Sequence, residues 1–189
     1  MTRDLIDRVI DFYNSERSPG VAQQIAAEHE RLVRKLILVG TAPKGGEEHL
    51  LAVLQEAFSQ TGAPDPRLPL FFTKSSASRS SGLAFLKRTQ VRKNDRDIDN
   101  GSAVTDPQAK ALITWCATPD PDHAILRAIR QPTLVASGSH DTMLPAKNAY
   151  AMFKELSNAQ LVLYPDSGHG ALFQHHATFV SHVQTFLEA

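Results

Sequence analysis

The sequence predicts an α/β domain: a mostly parallel sheet of about four strands with flanking helices and a helical insertion after the second strand. Three observations carry that reading. Short apolar runs such as KLILVG, 35 to 40, and QLVLYP, 160 to 165, stop at glycine or proline; they are too short for ordinary helices and suit buried strands. Segments of helical pattern separate these runs, the order that joins parallel strands by crossovers. Between roughly 45 and 128 the strand pattern lapses and helical segments follow one another.

Taken in order, VIDFY at 9 to 13 reads as a short strand, followed by the polar turn NSERSP. Ser18 and Pro19 have the character of an N-cap and a first helical residue. VAQQIAAEHERLV, 21 to 33, then reads as a helix with Val21, Ile25 and Val33 on its apolar stripe. KLILVG is the second strand. After TAPKGG, the runs 49 to 60, 81 to 93 and 108 to 117 read as helices, separated by TGAPDPRLP and by an exposed linker at 94 to 107. PTLVASG, 132 to 138, restores a strand, KNAYAMFKELS is the helix after it, QLVLYP is the last strand, and ATFVSHVQTFLEA, 177 to 189, is a terminal helix. The stretch 45–128 reads either as a helical insertion covering one end of the sheet or as ordinary flanking helices, between a strand-helix-strand core at 1–44 and the remainder of the core at 129–189.

Composition narrows the function classes. The 189 residues are 42% hydrophobic, enough for an ordinary core. Twenty Lys and Arg balance twenty Asp and Glu, which gives no reason to expect nucleic acid or an anionic membrane as partner. Cys116 is the single cysteine, so no internal disulfide forms, and no HExxH or HxH arrangement suggests a metal site. The N-terminal residues carry charges throughout and never reach the apolar length of a signal or spanning segment, so the expectation is a soluble cytoplasmic protein.

Chemistry concentrates in two loops. SGSHDTMLP, 137 to 145, follows the third predicted strand, and PDSGHG, 165 to 170, follows the fourth. In a parallel sheet with these strands adjacent, both loops emerge at the same edge, which brings Asp141 and His169 within hydrogen-bond reach. An aspartate accepting from one imidazole nitrogen fixes the tautomer and leaves the other nitrogen to act as general base. Gly168 and Gly170 would let the backbone bend closely around the ring. The plainer alternative is that Asp141 forms an Asx-turn and Asp166 caps its own loop. Leu70, Phe71, Phe72 and Trp115 are candidates for a pocket lining or for plain core.

GSHDTMLPAKNAYAMFKELSNAQLVLYPDSGHGALFQHHATFVSHVQTFL resembles the acid-loop to histidine-loop half of the α/β-hydrolase family, in particular its capped, proline iminopeptidase-like and haloperoxidase-like members. VAQQIAAEHERLVRKLILVGTAPKGG resembles the helix and strand that follow that family's nucleophile elbow, and the middle region resembles its helical cap. The resemblance implies a partial α/β-hydrolase fold and hydrolysis of a small ester, amide or related substrate. It implies Asp141 as triad acid and His169 as triad base, with no metal or organic cofactor.

At the elbow the chain departs from the family's G-x-S-x-G. The ungapped match lays NSERS, 14 to 18, on that motif, so that Glu16 takes the nucleophile position while Asn14 and Ser18 replace the glycines. Ser18 is the alternative serine nucleophile, with Gly20 as a small neighbour, but Pro19 after it has no N–H to give an oxyanion hole. Intact members carry several strands before the elbow, and this chain is expected to be truncated relative to them. A second copy or another chain covering the open sheet edge, or a catalytically inactive scaffold, is the competing expectation.

Overall fold

The computed structural model describes residues 19–46, 49–59, 65, 67–94, 96 and 101–189. Predicted strand 9 to 13 and the candidate nucleophiles Glu16 and Ser18 lie outside the described residues. Three strands are seen: β1 (Leu36–Val39), β2 (Thr133–Gly138) and β3 (Ala159–Tyr164). They form one parallel sheet in the order β1-β2-β3, with Leu36 opposite Thr133 and Thr133 opposite Ala159. Every residue of β2 is buried.

The alternation of side chains along the strands builds two cores, as the period of two requires. Leu36, Leu38 and Val135 face one side, where they meet Ala26, Leu126, Ile129, Ala149, Met152 and Leu156. Ile37, Leu134 and Val162 face the other side, against Val183, Phe186 and Leu187. The helices that supply these layers are α1 (Pro19–Glu28), α6 (Ala124–Ala128), α7 (Ala146–Glu155) and α9 (His176–Glu188), the last preceded by the four-residue α8 (Ala171–Gln174). Lys35 Nζ donates to the Phe186 carbonyl at 2.7 Å, placing a cation at the carbonyl-rich end of α9.

Helix α1 buries a different stripe from the one its sequence suggests. Gly20, Gln23 and Ala26 are buried, while Val21 is 46% exposed. The reason is a large ring and a polar tether. A Cβ at Gly20 would stand 2.2 Å from the Trp115 ring, and Gln23 Nε2 donates to the Ala42 carbonyl at 3.0 Å. Trp115 Nε1 donates to the same carbonyl at 3.2 Å. Backbone and side-chain polarity thus override hydropathy at this face.

Between β1 and β2 the described chain contains α2 (Leu50–Ser59), α3 (Arg67–Phe71), α4 (Ser76–Thr89), α5 (Ser102–Ala117) and α6. Helix α4 begins five residues before the predicted start, because Ser75 accepts from the Ser78 amide as an N-cap. Helix α5 starts well inside the stretch expected as linker, with Pro107 within it. The short α3 and α6 have no counterpart among the predicted elements. Leu50, Trp115 and Cys116 pack with Ala42 and Leu144 into a separate small core. Among the described residues no helix is long and apolar enough to cross a membrane.

Candidate active site

The two loops after β2 and β3 meet as the strand order requires. His140 donates its amide to the Ser167 carbonyl at 2.9 Å, and Ser139 donates to the Tyr164 carbonyl at 2.9 Å. Between them, His169 Nδ1 lies 2.8 Å from Asp141 Oδ2. The Asp141 side chain is 0% exposed and that of His169 is 21% exposed. A carboxylate can only accept, so Nδ1 carries the proton in this bond and Nε2 becomes the nitrogen able to take one up.

The two sequence readings of Asp141 are both realised, on different oxygens. Oδ1 accepts from the amides of Met143 and Leu144, each at 2.9 Å, which is the turn-forming role. Oδ2 is thereby aimed at the imidazole. A buried carboxylate held by three donors meets the demand that a desolvated charge be hydrogen-bonded.

Gly40, directly after β1, completes the third side. Its φ is +52°, and a Cβ there would stand 3.1 Å from His169 Cε1 and 3.7 Å from Asp141 Oδ2. Glycine is favoured by both the backbone angle and the proximity of the ring. In the histidine loop, a Cβ on Gly170 would meet Phe71 Cβ at 2.6 Å and one on Gly168 would meet the Leu70 carbonyl at 3.0 Å, so the missing side chains admit the end of α3.

The backbone of helix α3 is the part of the site that sequence reasoning missed. Its Leu70 carbonyl accepts from the His169 amide at 3.2 Å, and the Phe71 carbonyl accepts from the Gly170 amide at 3.0 Å. The Phe71 ring lies 5.6 Å from the imidazole, centroid to centroid. Of the four apolar candidates, Leu70, Phe72 and Trp115 are buried, and Phe71 is the one in ring contact with His169. Phe71 also stacks on Phe173 at 6.0 Å.

Asp166 does not cap its own loop. Its Oδ1 accepts from Thr73 Oγ1 at 2.6 Å, and Oδ2 accepts from Ser75 Oγ at 2.5 Å. The Ser75 hydroxyl first, then that of Thr73, holds the carboxyl below the ordinary carboxylate value, with His140 and His175 adding smaller attractions and burial opposing them. The signal for this contact lay in Ser75-x-x-Ser78, an N-cap spacing just after FFTK. His140 is exposed with Nδ1 2.8 Å from Ser139 Oγ, and His175 stacks on Tyr164 at 5.4 Å. Among the described residues no group of three or more His, Cys, Asp or Glu side chains is placed to hold a metal ion.

A parallel sheet presenting an aspartate after one strand and a histidine after the next defines a class of fold, and comparison with known proteins agrees. The sequence profile described as the alpha/beta hydrolase fold matches residues 20–176, and the chain belongs to that family. An alpha/beta hydrolase fold protein from Chitinophaga pinensis superposes with a TM-score of 0.79 at 34% identity, covering 89% of this chain and 61% of that one. The 2-hydroxymuconate semialdehyde hydrolase of Pseudomonas putida is 26% identical over 179 residues, which is 94% of this chain and 62% of that protein. The pimeloyl-[acyl-carrier protein] methyl ester esterase of Nitrosomonas europaea is 26% identical over 171 residues, covering 85% and 64% respectively. The chain therefore spans less than two thirds of the length of these relatives.

Proposed function

We propose that the chain acts as a hydrolase on a small ester, amide or related substrate, with His169 as general base and Asp141 as the acid that orients it. The observation that carries this reading is the 2.8 Å bond from His169 Nδ1 to an Asp141 carboxylate already fixed by two amides. The methyl ester esterase among the relatives agrees with an ester as substrate. The helices between β1 and β2 act as a cap, with substrate entering between them and the carboxyl ends of the strands. No metal or organic cofactor takes part.

In the first step the nucleophile, Ser18 or alternatively Glu16, attacks the substrate's carbonyl carbon. If it is Ser18, the hydroxyl proton passes to His169 Nε2 as the Oγ–C bond forms, and the imidazolium is stabilised by Asp141. Nε2 then returns that proton to the departing alcohol or amine as the bond to it breaks. Water repeats the sequence on the acyl-enzyme, with His169 again accepting and returning one proton. The Phe71 ring is an apolar neighbour of the imidazole at 5.6 Å, which strengthens the charge interaction with Asp141.

The test is a panel of small esters assayed with the purified chain, Ser18→Ala and His169→Ala. Hydrolysis that falls by about 10³-fold or more in each variant is the expected result. Covalent labelling of Ser18 by a serine-directed phosphonate reports the nucleophile directly. No turnover in the folded chain, with no labelling, rejects the reading.

A second reading is a catalytically inactive scaffold that binds another chain. Two observations favour it: Glu16 takes the matched nucleophile position, and Pro19 leaves no N–H after Ser18. Sedimentation then shows a dimer or a larger complex. A well-folded monomer that turns over esters removes it.

A further inference from the structure

The contacts between α3–α4 and the histidine loop form a closed circuit. Ser75 Oγ donates to Asp166 Oδ2 and itself accepts from the Ser78 amide at 3.0 Å. Ser78 Oγ donates to Gln174 Oε1 at 2.7 Å, and Gln174 Nε2 returns to the Asp166 carbonyl at 2.8 Å. Thr73 adds a second hydroxyl to Asp166 and donates its amide to Ser78 Oγ at 2.8 Å. Ser78 is 0% exposed, so the circuit passes through the interior.

Asp166 itself is held with φ at +47°, a left-handed backbone that is uncommon outside glycine and that aspartate and asparagine tolerate best. The same loop, three residues on, carries His169. The segment that Asp166 holds, 73 to 75, directly continues the α3 end whose two carbonyls accept from His169 and Gly170. Fixing one end of this short stretch fixes the other, because only Phe72 separates Phe71 from Thr73.

We propose that Asp166 is a positioning residue: through Thr73 and Ser75 it registers the Leu70–Phe71 carbonyls and the Phe71 ring against His169, and so keeps the imidazole in its bond to Asp141. That His169 works as a base rests on the function proposed above. The positioning itself is a statement about geometry and is read without turnover.

The experiment compares Asp166→Ala, Asp166→Asn and Thr73→Val with the natural chain by amide hydrogen exchange and by proton NMR of the His169 Nδ1–H. Exchange at the His169 and Gly170 amides rises by about tenfold in Asp166→Ala, the scale of losing a hydrogen bond to a charged acceptor. The amide of Val135 in β2 keeps its rate, and the low-field Nδ1–H resonance broadens or is lost. Asp166→Asn, which keeps the backbone angle and one acceptor oxygen, restores part of the protection.

If Asp166→Ala does not fold, Thr73→Val decides, since it removes one hydroxyl from the carboxylate with little change of shape. Unchanged exchange at His169 and Gly170, or an equal rise at Val135, overturns the proposal. Should the natural chain show no ester hydrolysis while these local changes appear, the hydrolase reading fails and the positioning role stands.

Discussion

At the scale of single residues, the site depends on what is missing at position 40 as much as on Asp141 and His169. Gly40→Ala places a methyl group 3.1 Å from His169 Cε1 on a backbone with φ of +52°. The left-handed angle alone costs about 1–2 kcal/mol for a residue with a Cβ. The expected result is an unfolding free energy lowered by that amount, seen as a lower urea midpoint, with a shift of the His169 ring resonances and weaker hydrolysis of any ester the natural chain accepts. An unchanged midpoint would mean that the loop relaxes freely. The Asp141–His169 pair was legible in the sequence because strand adjacency dictates which loops meet. Gly40 was not, since a glycine that ends an apolar run reads first as a stop signal. The role of Leu70 and Phe71 was hidden for a simpler reason. Their contacts to the histidine loop are made by backbone carbonyls, which leave no mark on residue type.

At the scale of elements, two opposing terms meet in α1. Gly20→Ala gains about 1 kcal/mol of helix propensity, yet its Cβ would approach the Trp115 ring to 2.2 Å. Overpacking of that kind costs about 1–3 kcal/mol, so net destabilisation is expected in thermal unfolding, with changed Trp115 fluorescence. Stabilisation would show that the indole can retreat. The tie between α4 and the histidine loop titrates. Since the Asp166 carboxyl is held below its ordinary 3.8 in the folded chain, the unfolded chain takes up its proton first as pH falls. The stabilisation is therefore complete above 3.8 and lost as pH drops through the lower folded value. Urea midpoints of the natural chain and Asp166→Asn should differ above pH of about 5 and converge only once pH has fallen below 3.8 and through the lower folded value. A difference that persists to lower pH would place the effect in another group. Strands β1 to β3 and helices α2, α7 and α9 were readable from short apolar runs and 3.6-residue periodicity. The stripe of α1, the start of α5 and the short α3 were not, because a tryptophan, a proline and a polar loop composition each outweighed the local pattern.

For the whole molecule, the buried β2 is the reference against which all else moves. Its six residues are covered on both faces and paired on both sides. Amide exchange should be slowest at Leu134, Val135 and Ala136 and faster through α5, which packs on the smaller core around Trp115. Slower exchange in α5 than in β2 would contradict this order of stability. Fold class was the most legible property, since alternating strand and helix signals with an interruption admit few arrangements. Three of the four predicted strands are seen, and the fourth, 9 to 13, lies outside the described residues.

The circuit through Asp166, Ser75, Ser78 and Gln174 has a consequence for anyone wishing to exchange parts with a relative. A chimera that transplanted foreign helices in place of residues 67–90 would sever the bonds from Thr73 and Ser75 to Asp166, from Ser78 to Gln174 and from Arg88 to the Phe173 carbonyl. It would also leave the amides of His169 and Gly170 to find new acceptors. The smallest graft that respects this architecture carries 165–175 along with the helices. The module boundary in this protein runs through its chemistry and not around it.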